Sequence, residues 1–161
     1  MGRGATKAVG NAWYEARIEA SKYNQSLASR EGAAEALHMS VDAVTDAELG
    51  LSKVMPVDKA VLMADLYNKP TLLNYYCLHE CPIGRNHPIS DEVLALDRVT
   101  VSLIDSMSIS QVTEFTNSLL RIASDGKVTP DEMDRLEQLV EYLQTIALNA
   151  SRLKNILDSQ K

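Results

Sequence analysis

Ser29-Arg30-Glu31-Gly32-Ala33-Ala34-Glu35-Ala36-Leu37-His38-Met39-Ser40-Val41-Asp42-Ala43-Val44-Thr45-Asp46-Ala47-Glu48-Leu49-Gly50 reads as two short helices back to back. The Ser29 oxygen stands where it can accept from the free N–H groups of a first turn, and the alanine-rich run to Leu37 is compact. Ser40 repeats the capping signal. Ala43, Val44 and Ala47 form the apolar stripe of a second helix up to Glu48, and Gly50 ends it. His38 and Met39 leave space for a tight turn between the two.

Helical spacing continues on both sides. From Asn11 to Ser21, apolar Ala12, Trp13, Ala16 and Ile18 alternate with outward Glu15 and Glu19, and Lys22-Tyr23-Asn24-Gln25 breaks the pattern. Pro56 precedes a further helix from Val57 to Tyr67, which stops before Asn68-Lys69-Pro70. In the second half, Val93, Leu96, Thr100, Leu103 and Met107 recur by threes and fours, as do Val112, Phe115, Leu119 and Ile122. The last segment is the most regular: Leu136, Leu139, Leu143, Ile146, Ala150, Leu153 and Leu157 occupy a and d positions, with Arg135, Glu137, Glu141, Arg152 and Lys154 off the seam. This predicts a long helix packing along a neighbour within the chain or along a second chain, and Ala150 would let two helices approach closely.

Composition agrees with an all-α fold. The 161 residues are 45% hydrophobic but only 5% aromatic, with seven Gly and five Pro, too few turn and strand formers for a sandwich or barrel. A net charge of −6 against that apolar content excludes a disordered chain. Sixteen basic and 22 acidic residues put the pI near 5.0, which counts against tight non-specific nucleic-acid binding. No apolar run is long enough to span a membrane and the N-terminus lacks an apolar signal core. Two Cys make no disulfide framework, so a cytoplasmic protein is expected. Met1-Gly2-Arg3-Gly4-Ala5-Thr6 formally fits a myristoylation pattern, but a flexible leader over 1–10 is the reading adopted.

Charge is uneven. Residues 1–70 hold eight basic and nine acidic side chains, and residues 71–161 hold eight and 13. The stretch Pro70 to Pro88 contains three of the five prolines and all of Cys77, His79, Cys81 and His87. The expected organisation is a leader (1–10), a first helical module (11–72), a Cys- and Pro-containing connector (73–90) and a helical bundle or coiled-coil hairpin (91–161).

The spaced set over residues 11–67 resembles the lambda-repressor/Cro-like helix-turn-helix family, also called the xenobiotic-response-element family. Ala34 and Leu37 match its second helix, Ser40 opens the third, Val44 takes the buried position, and Glu48-Leu49-Gly50 matches a Glu-x-Gly at the helix end. Pro56 leads into a fourth helix containing Leu62. The stretch Tyr67-Asn68-Lys69-Pro70, with Leu72 to Cys77 and Cys81-Pro82-Ile83-Gly84, looks like the end of this module in regulators from anaerobic Gram-positive bacteria and their mobile elements. The resemblance covers roughly half the chain.

The resemblance implies a DNA-binding transcriptional regulator whose helix Val41–Glu48 lies in the major groove. It implies DNA as partner and, because paired half-sites need two-fold symmetry, a homodimer formed through the C-terminal helices. Carried over, Ser40, Val41, Asp42, Ala43, Thr45 and Asp46 would face DNA, Ser29 and Arg30 would lie on a phosphate, Lys53 would add a phosphate contact, and Thr45 a base contact. Three departures stand out. His38 replaces the glycine of the turn, Lys22 to Leu27 reads as an insertion, and the groove-facing helix carries two aspartates and no positive charge, although base readout favours Arg, Asn and Gln. The alternative is a protein–protein adaptor on the same scaffold, whose acidic helix meets a basic partner.

Cys77, His79, Cys81 and His87 supply four possible zinc ligands within eleven residues. The plainer reading is small buried side chains at the end of the first module, so no metal is expected. Asp125-Gly126-Lys127-Val128-Thr129-Pro130-Asp131-Glu132 partly matches the back half of a calcium loop, but Arg121 and Ala123 stand where oxygen ligands are needed. Local capping explains it: Gly126 ends one helix, Thr129 and Glu132 form a capping box, and Pro130 takes the first helical position. Trp13, Tyr67, Tyr75 and Tyr76 are expected in packing. No nucleophile elbow or phosphate loop is present, so neither an enzyme nor a cofactor is expected.

Overall fold

The computed structural model describes residues 7–51, 55–124 and 126–160. Among these the chain is all-helical with no strand, and no helix is long and apolar enough to cross a membrane. The α-helices are α1 (Ala12–Ala20), α2 (Arg30–Leu37), α3 (Val41–Leu49), α4 (Val57–Leu66), α5 (Thr71–His79), α6 (Leu96–Ser106), α7 (Ile109–Ala123) and α8 (Pro130–Asp158). Short 3-10 turns cover Gln25–Ala28 and Gly84–Asn86. Residues 1–6 of the expected leader, including the myristoylation-like start, lie outside the described residues. Lys7 to Gly10 form a turn with Ala8 buried.

The chain divides into Met1–His87 and Pro88–Lys161. In the first unit the caps follow from the sequence. The Asn11 side chain accepts from the N–H groups of Trp13 (2.9 Å) and Tyr14 (3.3 Å), that of Ser29 from Gly32 (3.1 Å), and that of Ser40 from Ala43 (3.1 Å). Their core sides meet in one cluster that includes Trp13, Leu27, Leu37, Val44, Met63 and Tyr67. Leu62 of the fourth helix is largely exposed, and Ala60, Met63 and Ala64 turn inward instead.

The stretch read as a connector mostly belongs to this unit. α5 buries Leu72 and Tyr76 in the shared core, and the Tyr76 hydroxyl donates to the Met55 carbonyl at 3.1 Å. The Trp13 ring meets Tyr75 edge-on at 5.9 Å, and its indole N–H donates to Glu80 Oε1 at 2.8 Å. Gly84 lets the following turn close on α5, because a Cβ there would lie 2.3 Å from the Cys77 carbonyl oxygen.

In the second unit α6 and α7 both pack on α8. The Thr129–Glu132 capping box is present, with the Thr129 N–H donating to Glu132 Oε2 at 2.9 Å and Pro130 as first helical residue. The heptad reading of α8 needs correction. Leu139, Ile146 and Leu153 are at least half-buried as expected, but Leu143, Ala150 and Leu157 are exposed. Their places on the packed face fall to Tyr142, Asn149 and Ile156: Phe115 stacks on Tyr142 at 4.2 Å, and Ser102 donates to Asn149 Oδ1 at 3.1 Å. Asn155, also buried, donates to the carbonyls of Ser90 (2.6 Å) and Glu92 (2.9 Å). On α6 the buried residue is Val99, whereas Leu96, Thr100 and Met107 of the expected stripe are exposed. Apolar periodicity missed this face because polar side chains form part of it.

Candidate nucleic-acid interface

α2 and α3 are joined by His38, Met39 and Ser40 alone. His38 adopts φ 50° and ψ 46°, the left-handed conformation that ends α2, a region in which histidine is tolerated better than most residues. The Met39 N–H returns to the Ala34 carbonyl at 2.9 Å. His38 thus holds a backbone conformation that glycine adopts most readily.

The angle between these helices is held by a carboxylate that sequence reading singled out only as part of Glu48-Leu49-Gly50. Glu48 is 0% exposed. Its Oε1 accepts from Arg17 Nε at 2.5 Å, and its Oε2 accepts from Arg17 Nη2 at 3.1 Å and from Arg30 Nε at 2.8 Å. Arg17 in turn donates from Nη1 to the carbonyls of Leu27 (2.9 Å) and Ala28 (3.2 Å). One buried anion thus ties α1, α2, α3 and the 3-10 turn together. Burial works to lower the pKa of the Arg17 guanidinium, but the hydrogen bond and charge of Glu48 outweigh it and hold it above the ordinary value. Tyr67 adjoins the same group: burial, then the Glu48 charge, push its phenol well up.

The expected interface residues fall in three groups. On α3, Val41 and Asp42 are exposed, and Ala43, Thr45 and Asp46 are half-buried, opposite the inward Val44, Ala47 and Glu48. Ser29 and Ser40 are exposed, and each caps its own helix. Arg30 begins α2 but reaches the last turn of α3, where its Nε is engaged by Glu48. Lys53 lies outside the described residues.

Asp42 and Asp46 stand one turn apart on the outward side of α3, with Leu49 a further three residues on. That surface is acidic at its centre. Arg30, which reaches the last turn of α3 from α2, is about a third exposed at its side chain and already paired on one nitrogen.

The four sulfur and imidazole side chains spread out. Cys77 and His79 are on α5, Cys81 follows it, and His87 ends the second 3-10 turn. Among the described residues no three His, Cys, Asp or Glu side chains group as a metal site requires, and both thiols are unbonded. His79 packs on the Tyr75 ring at 4.5 Å.

Arg17 is the residue sequence reading missed. The signal was present: Trp13, Arg17 and Ala20 lie on one helical face, so the arginine interrupts the core side and not the outer one. Comparison with family models, curated proteins and solved structures finds no match to this chain.

Proposed function

We propose that the chain is a DNA-binding transcriptional regulator that presents α3 to the major groove and acts as a homodimer. The observation that carries this reading is the α2–α3 pair itself. Two short capped helices join through a tight left-handed turn, and Glu48 clamps them from behind while Val41, Asp42 and Thr45 are left accessible or partly so. A helix held rigidly from its inner side, with polar side chains outside, suits groove insertion. Thr45 would contact a base edge, the Ser29 and Ser40 hydroxyls would donate to phosphates, and Arg30 would use the nitrogens left over from Glu48.

One observation favours a second reading, an adaptor that captures a basic protein. Asp42 and Asp46 place negative charge on the outward side of α3, where it opposes phosphates. Replacing both (Asp42→Asn with Asp46→Asn) separates the two. As a DNA reader the double variant binds duplex as well as or better than the parent. As an adaptor it loses its partner in a lysate pull-down and gains nothing on DNA.

A further inference from the structure

The second unit covers little apolar surface of its own. Among its described residues only Val99, Ile122 and Leu139 are fully buried hydrophobics, beside buried Ser90, Ser118, Asn149 and Asn155, while Phe115, Tyr142, Ile146, Leu153 and Ile156 are half-buried. Single domains of this size ordinarily need a larger core or a partner that supplies one.

α8 carries a second stripe that the packed face does not use. Met133, Leu136, Val140, Leu143, Ala147 and Ala150 recur at alternating intervals of three and four, and after Lys154 the series continues at Leu157. Met133 is 51% exposed, Val140 46%, Leu143 55% and Leu157 60%. Met133, Leu136 and Val140, with the stems of Glu137 and Glu141, line a shallow apolar groove at its N-terminal end. A heptad-spaced apolar seam along a helix of 29 residues has the form of a coiled-coil surface.

We propose that this outer stripe is the surface on which a second copy of the chain docks, the two α8 helices running antiparallel. Three observations select that occupant. Each copy carries the same shortage of core and the same stripe, so two copies can complete one another through a single self-complementary surface.

Side-chain size is the second. In an antiparallel register centred on Thr145, Leu143 faces Ala147 of the second copy and Val140 faces Ala150, so branched side chains meet small ones, and Met133 meets Leu157 at the ends. A parallel pair would set alanine on alanine and Lys154 on Lys154, leaving voids and a like-charge contact.

Charge is the third. The first half of α8 carries Asp131, Glu132, Asp134, Glu137 and Glu141 against one Arg135, while the second half carries Arg152, paired with Glu92, and the largely exposed Lys154, paired with Asp158. Antiparallel pairing lays the acidic half of each copy along the basic half of the other and brings Lys154 opposite Leu136, beside Glu137 of the second copy. This surface is argued from the second unit alone and stands or falls apart from DNA binding by α3.

Light scattering of the full chain over a dilution series tests it, with helical content followed by circular dichroism. The expected mass is twice the 17.7 kDa of one chain. Leu143→Glu, at an exposed position, should leave helicity intact and reduce the mass to that of a single chain. Glu137→Lys and Lys154→Glu should each weaken self-association about tenfold or more. An equimolar mixture of these two variants should restore it, because the mixed pair regains opposite charges at both ends. A single-chain mass for the parent at high concentration overturns the proposal, as does a dimer indifferent to Leu143→Glu or a mixture no stronger than its components. If Leu143→Glu fails to fold, the charge-exchange mixture decides.

Discussion

Glu48 accepts from two arginines with no exposure to solvent, so one carboxylate links α1 and α2 to α3. Removing one member of such a buried group strands the opposite charge. Glu48→Ala should therefore cost about 3–5 kcal/mol, read from urea unfolding at unchanged slope; a loss under about 1 kcal/mol would show that the arginines find other partners. Tyr67 makes a contrasting case. Its buried hydroxyl has no hydrogen-bond partner among the described residues, so Tyr67→Phe should change stability near pH 7 by less than about 1 kcal/mol. Because burial raises its pKa in the folded chain, the neutral phenol is the form the fold favours. That contribution is fully present below the unfolded phenol pKa of about 10 and declines as pH rises beyond it. The variant should accordingly lose less stability than the parent between neutral and strongly alkaline pH, and parallel pH curves would refute the assignment. Of this cluster, Glu48 stood out in the sequence only as part of Glu48-Leu49-Gly50, with nothing to mark its burial or its arginine partners. Arg17 did not stand out, because following apolar residues alone passes over a charge on the core face.

At the scale of elements, the sequence is most readable where side chains satisfy backbone locally. Asn11, Ser29, Ser40 and the Thr129–Glu132 pair each sit at a helix start, and Gly50 ends α3 at φ 66°. Capping is a short-range property, so it survives without knowledge of the fold. The segment Lys22 to Leu27 was less readable. It reads as an insertion, yet its 3-10 turn delivers Leu27 to the core and lays the Ser26 carbonyl against α2 at Gly32. A Cβ on Gly32 would lie 1.9 Å from that oxygen. Alanine normally favours a helix over glycine by about 1 kcal/mol. Here the clash should reverse the sign and lower stability by about 1–3 kcal/mol, and a higher melting temperature for Gly32→Ala would contradict this packing. α8 failed to read correctly for a related reason. Asn149 and Asn155 are buried through hydrogen bonds to Ser102, Ser90 and Glu92, and hydropathy cannot flag a polar side chain as interior.

Across the whole molecule the two units differ in how they are held. The first gathers a core from five helices, with Trp13, Tyr67 and Tyr76 in the packing roles expected of them. The second leaves apolar side chains exposed on α6, α7 and α8, and it is along α8 that we propose a second copy docks. The all-α class was legible from spacing and composition. The division at His87 was only bracketed, because the packing of α5 depends on Met55 and Trp13, far away in sequence. A dimer built on the second unit would carry two copies of α3, which the proposed reading of paired half-sites would require. The most direct test is selection of bound duplexes from a random DNA pool with the full chain, followed by titration of the winners at two salt concentrations. The proposed function predicts an enriched palindrome whose affinity falls steeply as salt rises. No enrichment at low salt, from protein shown to be folded and dimeric, would contradict it and leave α2 and α3 as a scaffold for protein contact.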